Sequence, residues 1–274
     1  MRLALATHQP GPLPESDELL RRALERRGVN AVAEVWSHPG VGWHHYDAVV
    51  IRSCWDYHLR LPEWLAWLDR VPVPLINPAP LIRWNLDKRY LAQLDVPLPD
   101  SVWLANADDR VDLGHLCRSR RWPAAVVKPL VSASAWRTEL RTAGVAQGPA
   151  LVQEYLPEIS RGEWSLMYFQ SVYSHAVRKM PAPGDFRVQS EFGGGYAPAT
   201  PPRAVLELGG RVLAQLPEPP ALARIDIVER LNADPVLMEA EVIEPELFLT
   251  ESSAAPSLAA AAVLRAVLAL EPVR

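Results

Sequence analysis

The pattern of apolar residues changes along the chain, and this change limits the fold more than any other feature. Residues 1–78 alternate short apolar runs with segments of helical periodicity, which predicts a small parallel α/β domain. Ser16 is expected to cap the first of these helices. Further along, alternation of apolar and polar residues predicts antiparallel strands over 163–169, 172–180, 223–228 and 236–243. The expected fold class is therefore an α/β domain joined to an α+β body, with a binding cleft between them.

The composition is typical of soluble globular proteins. The 274 residues are 49% hydrophobic and 22% charged, which suits one or two domains with packed cores. A formal net charge of −4 without a basic stripe argues against a nucleic-acid partner. The most apolar stretch, 258–270, is interrupted by Arg265, so we expect a final packed helix and no membrane partner. The two cysteines, Cys54 and Cys117, provide no disulfide framework and favour a cytoplasmic location.

Lysine is rare in this chain. Only three of the 28 basic residues are lysine, at positions 88, 128 and 179, and the other 25 are arginine. The arginine excess itself is typical of a coding bias. A lysine that persists against this bias indicates a need for a compact point charge, as in phosphate binding, which a planar guanidinium does not replace. For each lysine taken alone, chance placement on the surface is the alternative.

A predicted hairpin over 223–243 carries three carboxylates on one face. Residues 232–235 have turn-forming composition between two apolar runs. If the hairpin is symmetric about this turn, Asp226 lies opposite Glu239, and Glu241 shares the face of Glu239 because side chains alternate along a strand. Such a group of like charges favours a cation between them, and Mg²⁺ prefers oxygen ligands. The alternatives are a solvent-facing acidic hairpin, or a bulge or register slip that breaks the pairing.

A polar and aromatic cluster, RSCWDY, directly follows the apolar run 48–51. Ligands of open α/β sheets bind beyond the carboxyl ends of the strands, so this cluster is a candidate substrate site. Its members offer a carboxylate grip, a partner for an amine and faces for stacking. The candidate substrate residues are Arg52, Ser53, Trp55, Asp56 and Tyr57. The alternative is that the aromatic residues belong to the core while Arg52 and Asp56 form a local ion pair.

Four segments occur in an order that resembles the ATP-grasp carboxylate–amine ligases. They are AVVKP around Lys128, LVQEYLPEISRGE at 151–163, AVRKMPAPGDFRVQSEFGG at 176–194, and RIDIV followed by LMEAEVIEP. The resemblance covers roughly residues 85–250 and is nearest to the branch of glutathione synthetase and the ribosomal-protein glutamate ligase. RSCWDY and the string NPAPLIRWNLDKRYL are similar to a bacterial subgroup that includes the ligase closing the ring of D-cycloserine.

The resemblance implies a fold and a domain order. It implies a small N-terminal parallel α/β domain and two α+β subdomains that clasp ATP. We expect the N-terminal substrate domain over 1–80, the central ATP-grasp subdomain over 81–156, and the C-terminal subdomain with the metal site over 157–274. No GxxxxGK[ST] or GxGxxG motif occurs, so P-loop and Rossmann folds are disfavoured.

The resemblance also implies roles for individual residues. ATP binding falls to Lys88 and Lys128 on the phosphates, Gln153, Glu154, Tyr155 and Leu156 on the adenine, and Glu163 on the ribose. The catalytic candidates are Arg187, which faces the acyl phosphate, and the basic pair Arg178 and Lys179. The metal ligands are Asp226, Glu239 and Glu241, the last standing where the family usually has asparagine. The phosphate-covering loop, 131–138, has no glycine, so Ser132 and Ser134 are expected to donate hydroxyls instead.

The activity implied is that of an ADP-forming ligase dependent on ATP and Mg²⁺, with Mn²⁺ as an alternative. The γ-phosphoryl group of ATP activates a carboxyl or related carbonyl of a small amino-acid-like substrate, and an amine attacks the acyl phosphate. A catalytically degenerate nucleotide-binding protein and a ligase of protein or peptide tails remain as alternatives. The substrates, inter- or intramolecular bond formation, and a monomer or homodimer are left open.

Overall fold

The computed structural model describes residues 1–231 and 233–270. The strands are β1 (Arg2–Thr7), β2 (Asn30–Val35), β3 (Ala48–Ile51), β4 (Leu75–Ile76), β5 (Ser101–Leu104), β6 (Arg110–Asp112), β7 (Ala125–Pro129), β8 (Glu139–Arg141), β9 (Val145–Gln147), β10 (Ala150–Glu154), β11 (Glu163–Phe169), β12 (Val172–Met180), β13 (Gly195–Pro198), β14 (Leu222–Val228) and β15 (Val236–Glu241). The helices are α1 (Glu15–Glu25), α2 (Leu61–Arg70), α3 (Ala79–Asn85), α4 (Leu113–Arg120), α5 (Arg203–Leu213) and α6 (Ala255–Ala269). This mixed content confirms the predicted fold class.

The N-terminal sheet is parallel, with strand order β2-β1-β3-β4. Alternate residues of β1 and β3 face opposite sides, so α1 packs on one face and α2, with Trp64 and Trp67, packs on the other. The prediction that Ser16 caps α1 is wrong, because the helix begins one residue earlier and Pro14 occupies the cap position. The Ser16 hydroxyl instead accepts a hydrogen bond from the backbone N–H of Leu249, at 3.0 Å.

Two larger antiparallel sheets have the orders β5-β10-β7-β8 and β13-β12-β11-β14-β15, and β6 and β9 form a separate antiparallel pair. In the second sheet Asp226 lies opposite Glu239, as predicted for a hairpin with this symmetry. The register shifts by one residue immediately after this pair, so a bulge is present, but it falls on the turn side and leaves the acidic pair intact. Asn232, which belongs to the predicted turn, lies outside the described residues.

The segment that carries Lys88 is held against β15. The apolar residues over 81–94 recur at helical spacing, but the structure has α3 and then a separate 3₁₀ turn over 88–93. Asp87 begins this turn, since its carboxylate accepts the backbone N–H of Arg89 at 2.9 Å. The Asn85 amide donates to the carbonyl of Ala240 at 2.8 Å and accepts from the N–H of Val242 at 3.1 Å. Lys88 is thereby fixed beside the acidic hairpin.

Helix α6 closes the core that joins the N-terminal sheet to the C-terminal sheet. Its apolar residues share one buried cluster with α1, β1 and β11, which confirms a packed helix for the apolar stretch 258–270. None of the helices in the described part of the chain is long and apolar enough to cross a membrane.

Candidate active site

A cavity of about 350 Å³ lies where the two larger antiparallel sheets meet residues that follow β3 in the N-terminal domain. All three lysines of the chain line this cavity. Eight carboxylates and two arginines also line it: Glu154, Glu163, Glu191, Asp226, Glu239, Glu241, Glu244 and Glu246, with Arg187 and Arg224. The lysine positions that persist against the arginine bias therefore converge on one charged cavity.

Lys88 bridges the 88–93 turn, the loop after β7 and the hairpin. Its backbone N–H donates to the carbonyl of Leu130 at 2.9 Å. Its ammonium group lies 2.7 Å from Glu239 and 3.2 Å from the carbonyl of Ser132. Burial opposes ionisation of Glu239, but the nearby Lys88 and Lys128 lower the pKa of its carboxyl. Lys88 thus holds the Glu239 carboxylate in its charged form.

Lys179 pairs with carboxylates from two neighbouring strands. It lies opposite Glu163 in the β11–β12 pair, at 2.5 Å, and its ammonium group also lies 3.3 Å from Asp226. Burial lowers the pKa of Lys179, but the charges of Asp226 and Glu163 outweigh this effect and raise it. Ser165 adds a hydrogen bond to Asp226 at 2.5 Å. Lys179 is therefore a fixed cation at the centre of the C-terminal sheet.

Arg224 is a site residue that the sequence analysis missed. Its guanidinium donates to Asp226 at 3.0 Å and forms an ion pair with Glu241. Burial opposes the charge on Asp226, yet Arg224 and Lys179 hold its pKa at about 2. The sequence contains a sign of this role, because Arg224 and Asp226 are two residues apart on β14 and so share a face. A pattern of metal ligands includes only the carboxylates of that face.

Glu241 is buried among like charges. Burial raises its pKa to about 8, since Asp226 and Glu239 add to the effect and Arg224 opposes it only in part. Glu241 is therefore the hairpin carboxylate whose charged form the surrounding protein stabilises least. In type, these oxygen donors fit a hard divalent cation. Among the described residues, however, no three acidic, histidine or cysteine side chains converge closely enough to hold a metal ion as they stand.

Lys128 and the segment after it form another wall of the cavity. Its ammonium group donates to the side chain of Gln153 at 3.0 Å, and burial lowers its pKa. Glu154 pairs with Arg230 at 3.1 Å. The four residues predicted to contact adenine all line the cavity: Gln153, Glu154, Tyr155 and Leu156. The backbone N–H of Leu156 donates to no described protein group, so it is open to a ligand.

The loop over 131–138 reaches the cavity without glycine. Ser132 and Ser134 both line it, as does Ala135. Ser134, Ala135 and Arg137 have φ angles of +50°, +53° and +53°, in the left-handed region that glycine normally occupies. These residues therefore adopt left-handed conformations that glycine would adopt more easily. The cost is roughly 1–2 kcal/mol for each residue.

The two arginines predicted to act with Lys179 have different surroundings. Arg187 lines the cavity, with Asp185 at 2.7 Å and the ring of Phe192 stacked 3.6 Å away. Arg178 does not line it. It donates to the carbonyl of Arg161 at 2.9 Å and lies over the ring of Trp164, because neighbours on a strand point to opposite faces. The structure therefore separates Arg178 from Lys179.

Only two of the five predicted substrate residues, Trp55 and Tyr57, line the cavity. Arg52 is buried in an ion pair with Asp17 at 2.7 Å and donates to the carbonyl of Pro245 at 2.8 Å. Ser53 donates to Thr7 at 3.0 Å, inside the N-terminal domain. Asp56 accepts from the indole of Trp36 at 2.8 Å. The alternative of a local pair between Arg52 and Asp56 is also wrong, since each has a different partner.

Further cavity residues were missed because they follow the predicted strands. Glu244, Glu246 and Phe248 line the cavity after β15 ends. Two of the three occur in or next to the quoted segment LMEAEVIEP, but strand periodicity cannot place residues in an irregular segment. The resemblance to the ATP-grasp ligases includes this segment but assigns no role to Glu244, Glu246 or Phe248.

The chain is similar in sequence and in fold to known proteins. Residues 3–77 match the family described as the N-terminal domain of the D-cycloserine synthetase DcsG. The chain is 33% identical to the cycloserine biosynthesis protein DcsG of Streptomyces lavendulae, over 82% of this chain and 86% of that protein. The crystal structure of D-cycloserine synthetase DcsG superposes with a TM-score of 0.82 at 26% identity, covering 97% of this chain and 100% of that one.

More distant structures share the fold alone. A RimK-domain ATP-grasp protein of Sphaerobacter thermophilus has a TM-score of 0.66 at 16% identity and covers 96% of this chain and 100% of its own. D-alanine–D-alanine ligase of Bacillus anthracis also has a TM-score of 0.66, at 12% identity, with 98% of each chain covered. The identity and coverage of the nearer relative, together with the charged cavity, place this chain in the DcsG family of ATP-grasp enzymes, which are ADP-forming ligases.

Proposed function

We propose that this ATP-dependent ligase activates a carbonyl of a small amino-acid-like substrate as an acyl phosphate, which an amine then attacks. ADP and phosphate are released. The observation that carries the proposal is the cavity lined by all three lysines, by Arg187 and Arg224, and by the acidic hairpin. Cations at fixed positions can neutralise charge that develops on a transferred phosphoryl group, and this is the main requirement of phosphoryl transfer.

The nucleotide is proposed to lie against β7 and β10. The free N–H of Leu156 suits a nitrogen acceptor of an adenine ring, and Tyr155 and Leu156 provide an apolar surface. Lys128 is half-buried, and its polar partner among the described residues is the Gln153 side chain, so it presents a poorly compensated cation to the same cavity. A phosphate group would provide the charge that Lys128 lacks. Glu163 remains the proposed ribose ligand, although Lys179 is its partner in the protein alone.

The proposed ligands of Mg²⁺, or of Mn²⁺, are Asp226, Glu239 and Glu241. Their oxygens have the right chemistry for a hard divalent cation, and a cation beside Glu241 would favour the charged form that burial disfavours. Such an ion would supply Lewis acidity toward the transferred phosphoryl group. Lys88 and Arg224 occupy these carboxylates in the protein alone, so we propose that they turn toward the phosphates when the ion is present.

The protein needs no covalent nucleophile for this chemistry. Cys54 is fully buried, does not line the cavity, and burial raises the pKa of its thiol well above the ordinary value. The residues of the cavity instead hold the reacting groups and exclude water, while Lys88, Lys128 and Arg187 neutralise charge. Exclusion matters because an acyl phosphate is otherwise hydrolysed.

The substrate class follows from the relatives and from the N-terminal wall of the cavity. The relatives' names describe D-cycloserine synthesis, and D-cycloserine is a small cyclic amino-acid derivative. Trp55 and Tyr57 close the cavity on the side of the N-terminal domain. We therefore propose a small substrate whose own amine and carbonyl are joined into a ring.

A screen of ADP release tests the proposal. Purified protein with ATP and Mg²⁺ is incubated with small amino acids, their O-substituted serine derivatives and short peptides, and a coupled assay records ADP. We expect turnover with an amino-acid derivative and none with peptides, and Lys128→Met to reduce kcat/KM at least 100-fold. Binding of ATP without any turnover would instead favour the degenerate nucleotide-binding alternative, and turnover with peptides alone would favour a modifier of peptide tails.

A further inference from the structure

Glu244 is buried, yet no described residue forms an ion pair or a hydrogen bond with its carboxylate. Its relative exposure is 7%, and the surface that remains belongs to the cavity that it lines. Every other buried acid of the site, including Asp226 and Glu163, has an ion pair with a lysine or arginine. A buried carboxylate without a partner is unfavourable in the protein alone, so its presence at a cavity wall indicates a ligand that supplies the missing donor.

The backbone on either side of Glu244 is fixed in place. The guanidinium of Arg52 donates to the carbonyl of Pro245 at 2.8 Å, and Asp17 holds that guanidinium at 2.7 Å. Ile243 packs in the same apolar cluster as Cys54 and Tyr57. Arg52 therefore positions the segment that presents Glu244 to the cavity.

The surroundings of Glu244 favour a cationic amine as the ligand. Tyr57 and Trp55 line the same cavity. Burial raises the pKa of the Tyr57 phenol, and among the charged groups Glu244 adds most to this increase. Aromatic faces beside a carboxylate are suited to an ammonium group. A neutral donor would leave the charge unbalanced, and an anion would be repelled.

We propose that Glu244 binds the free ammonium group of the substrate and so makes the enzyme specific for amino-acid-like molecules that carry one. This inference rests on the proposed function for the identity of the substrate, but the ammonium site itself is testable by binding. The group bound by Glu244 is an ammonium that stays free, distinct from the nitrogen that forms the new bond. Glu244 is thus a specificity residue rather than a catalytic one.

The test compares two probes that differ by one amino group. D-cycloserine carries a primary amine on its ring, and isoxazolidin-3-one is the same ring without it. Their binding to the full-length protein, in the presence of ADP and Mg²⁺, is measured by titration calorimetry. We expect the wild-type protein to bind D-cycloserine at least 10-fold more tightly than isoxazolidin-3-one, since a charged hydrogen bond is lost with the amine. In Glu244→Gln this preference should fall below 3-fold.

The control variant is Glu207→Gln, which makes the same chemical change in an exposed ion pair on α5. It should retain the preference for the amine. Equal binding of the two probes by wild type, an unchanged preference in Glu244→Gln, or binding of neither probe by wild type would each overturn the inference. A preference that depends on Glu244 in a protein without ligase turnover would overturn the proposed function and leave the ammonium site standing.

Discussion

The hairpin β14–β15 and the segment that follows it differ in whether their buried carboxylates have ion-pair partners. On the hairpin, Asp226 and Glu239 each lie within 3.0 Å of a lysine or arginine nitrogen, and their pKa values are lowered. The third hairpin carboxylate, Glu241, also has an arginine partner, although burial keeps its pKa raised. Three residues beyond the hairpin, Glu244 has no partner, and burial raises its pKa to about 7 despite the more distant Arg224. A paired charge serves stability and positioning, whereas an unpaired one lowers stability and has a use only with a ligand.

The largest loss of stability is expected when a carboxylate is removed from the buried ion pairs of the hairpin. Asp226→Ala leaves Lys179 and Arg224 buried with less compensation, and loss of one partner from a buried pair costs about 3–5 kcal/mol. Urea unfolding of the protein without nucleotide measures this loss. The isosteric variant Asp226→Asn keeps the hydrogen bond from Ser165 and should lose less. A loss below about 1 kcal/mol for Asp226→Ala would contradict the view that these pairs hold the sheet.

Replacing the unpaired Glu244 is expected to stabilise the protein at high pH, whereas replacing the paired Asp226 destabilises it. The folded pKa of Glu244, about 7, is raised above the ordinary value of 4.5, so the folded protein retains a proton that the unfolded chain has lost between these values. The stability contribution of this group is present at low pH and is lost as pH rises through 7. Between pH 5 and pH 8, wild type should therefore lose about 2–3 kcal/mol relative to Glu244→Gln. Parallel stability–pH curves for the two proteins would refute this.

A smaller change in stability is expected at Lys128, whose only polar partner among the described residues is the Gln153 side chain. Lys128→Met keeps the apolar stem and removes a half-buried cation, so the free energy of unfolding should stay within about 1 kcal/mol of wild type. ATP affinity, measured by calorimetry, should nevertheless fall at least 10-fold because a phosphate contact is lost. Loss of stability without loss of affinity would make Lys128 a structural residue.

The smallest effect is expected for an ion pair outside the site. Arg203 and Glu207 lie four residues apart on α5 and are both exposed. Glu207→Gln should change the free energy of unfolding by less than about 0.5 kcal/mol at all pH values, since water screens such pairs. A change of 2 kcal/mol here would remove the distinction between buried and exposed pairs on which the other comparisons depend.

Sequence periodicity predicted the framework well, because strands and helices bury one face at a fixed spacing. Residues 163–169 and 172–180 form β11 and β12 with the predicted bounds, and the hairpin register pairs Asp226 with Glu239. The division between α3 and the 88–93 turn was not predictable from periodicity. Leu81 and Leu91 are both buried, so the apolar pattern continues across the break.

The site was predictable where its residues lie on strands and less so elsewhere. Lys128, Glu163 and Lys179 reach the cavity from strand positions. Arg52 directly follows a strand and turns into the core, because it meets Asp17 of α1 and the carbonyl of Pro245. A contact between residues nearly 200 positions apart cannot be seen in local sequence. Motif position therefore locates a segment at a site, but tertiary partners decide which of its side chains face the ligand.

The glycine-free loop over 131–138 has a consequence for ligand binding. Glycine has the largest backbone freedom, and a glycine-rich loop loses that freedom each time a ligand orders it. Ser134, Ala135 and Arg137 already hold left-handed conformations, and their side chains restrict the alternatives. The strain of these residues is permanent, but less conformational entropy is lost in each binding event. The loop is preorganised, at the expense of the adaptability that glycine would give it toward other ligands.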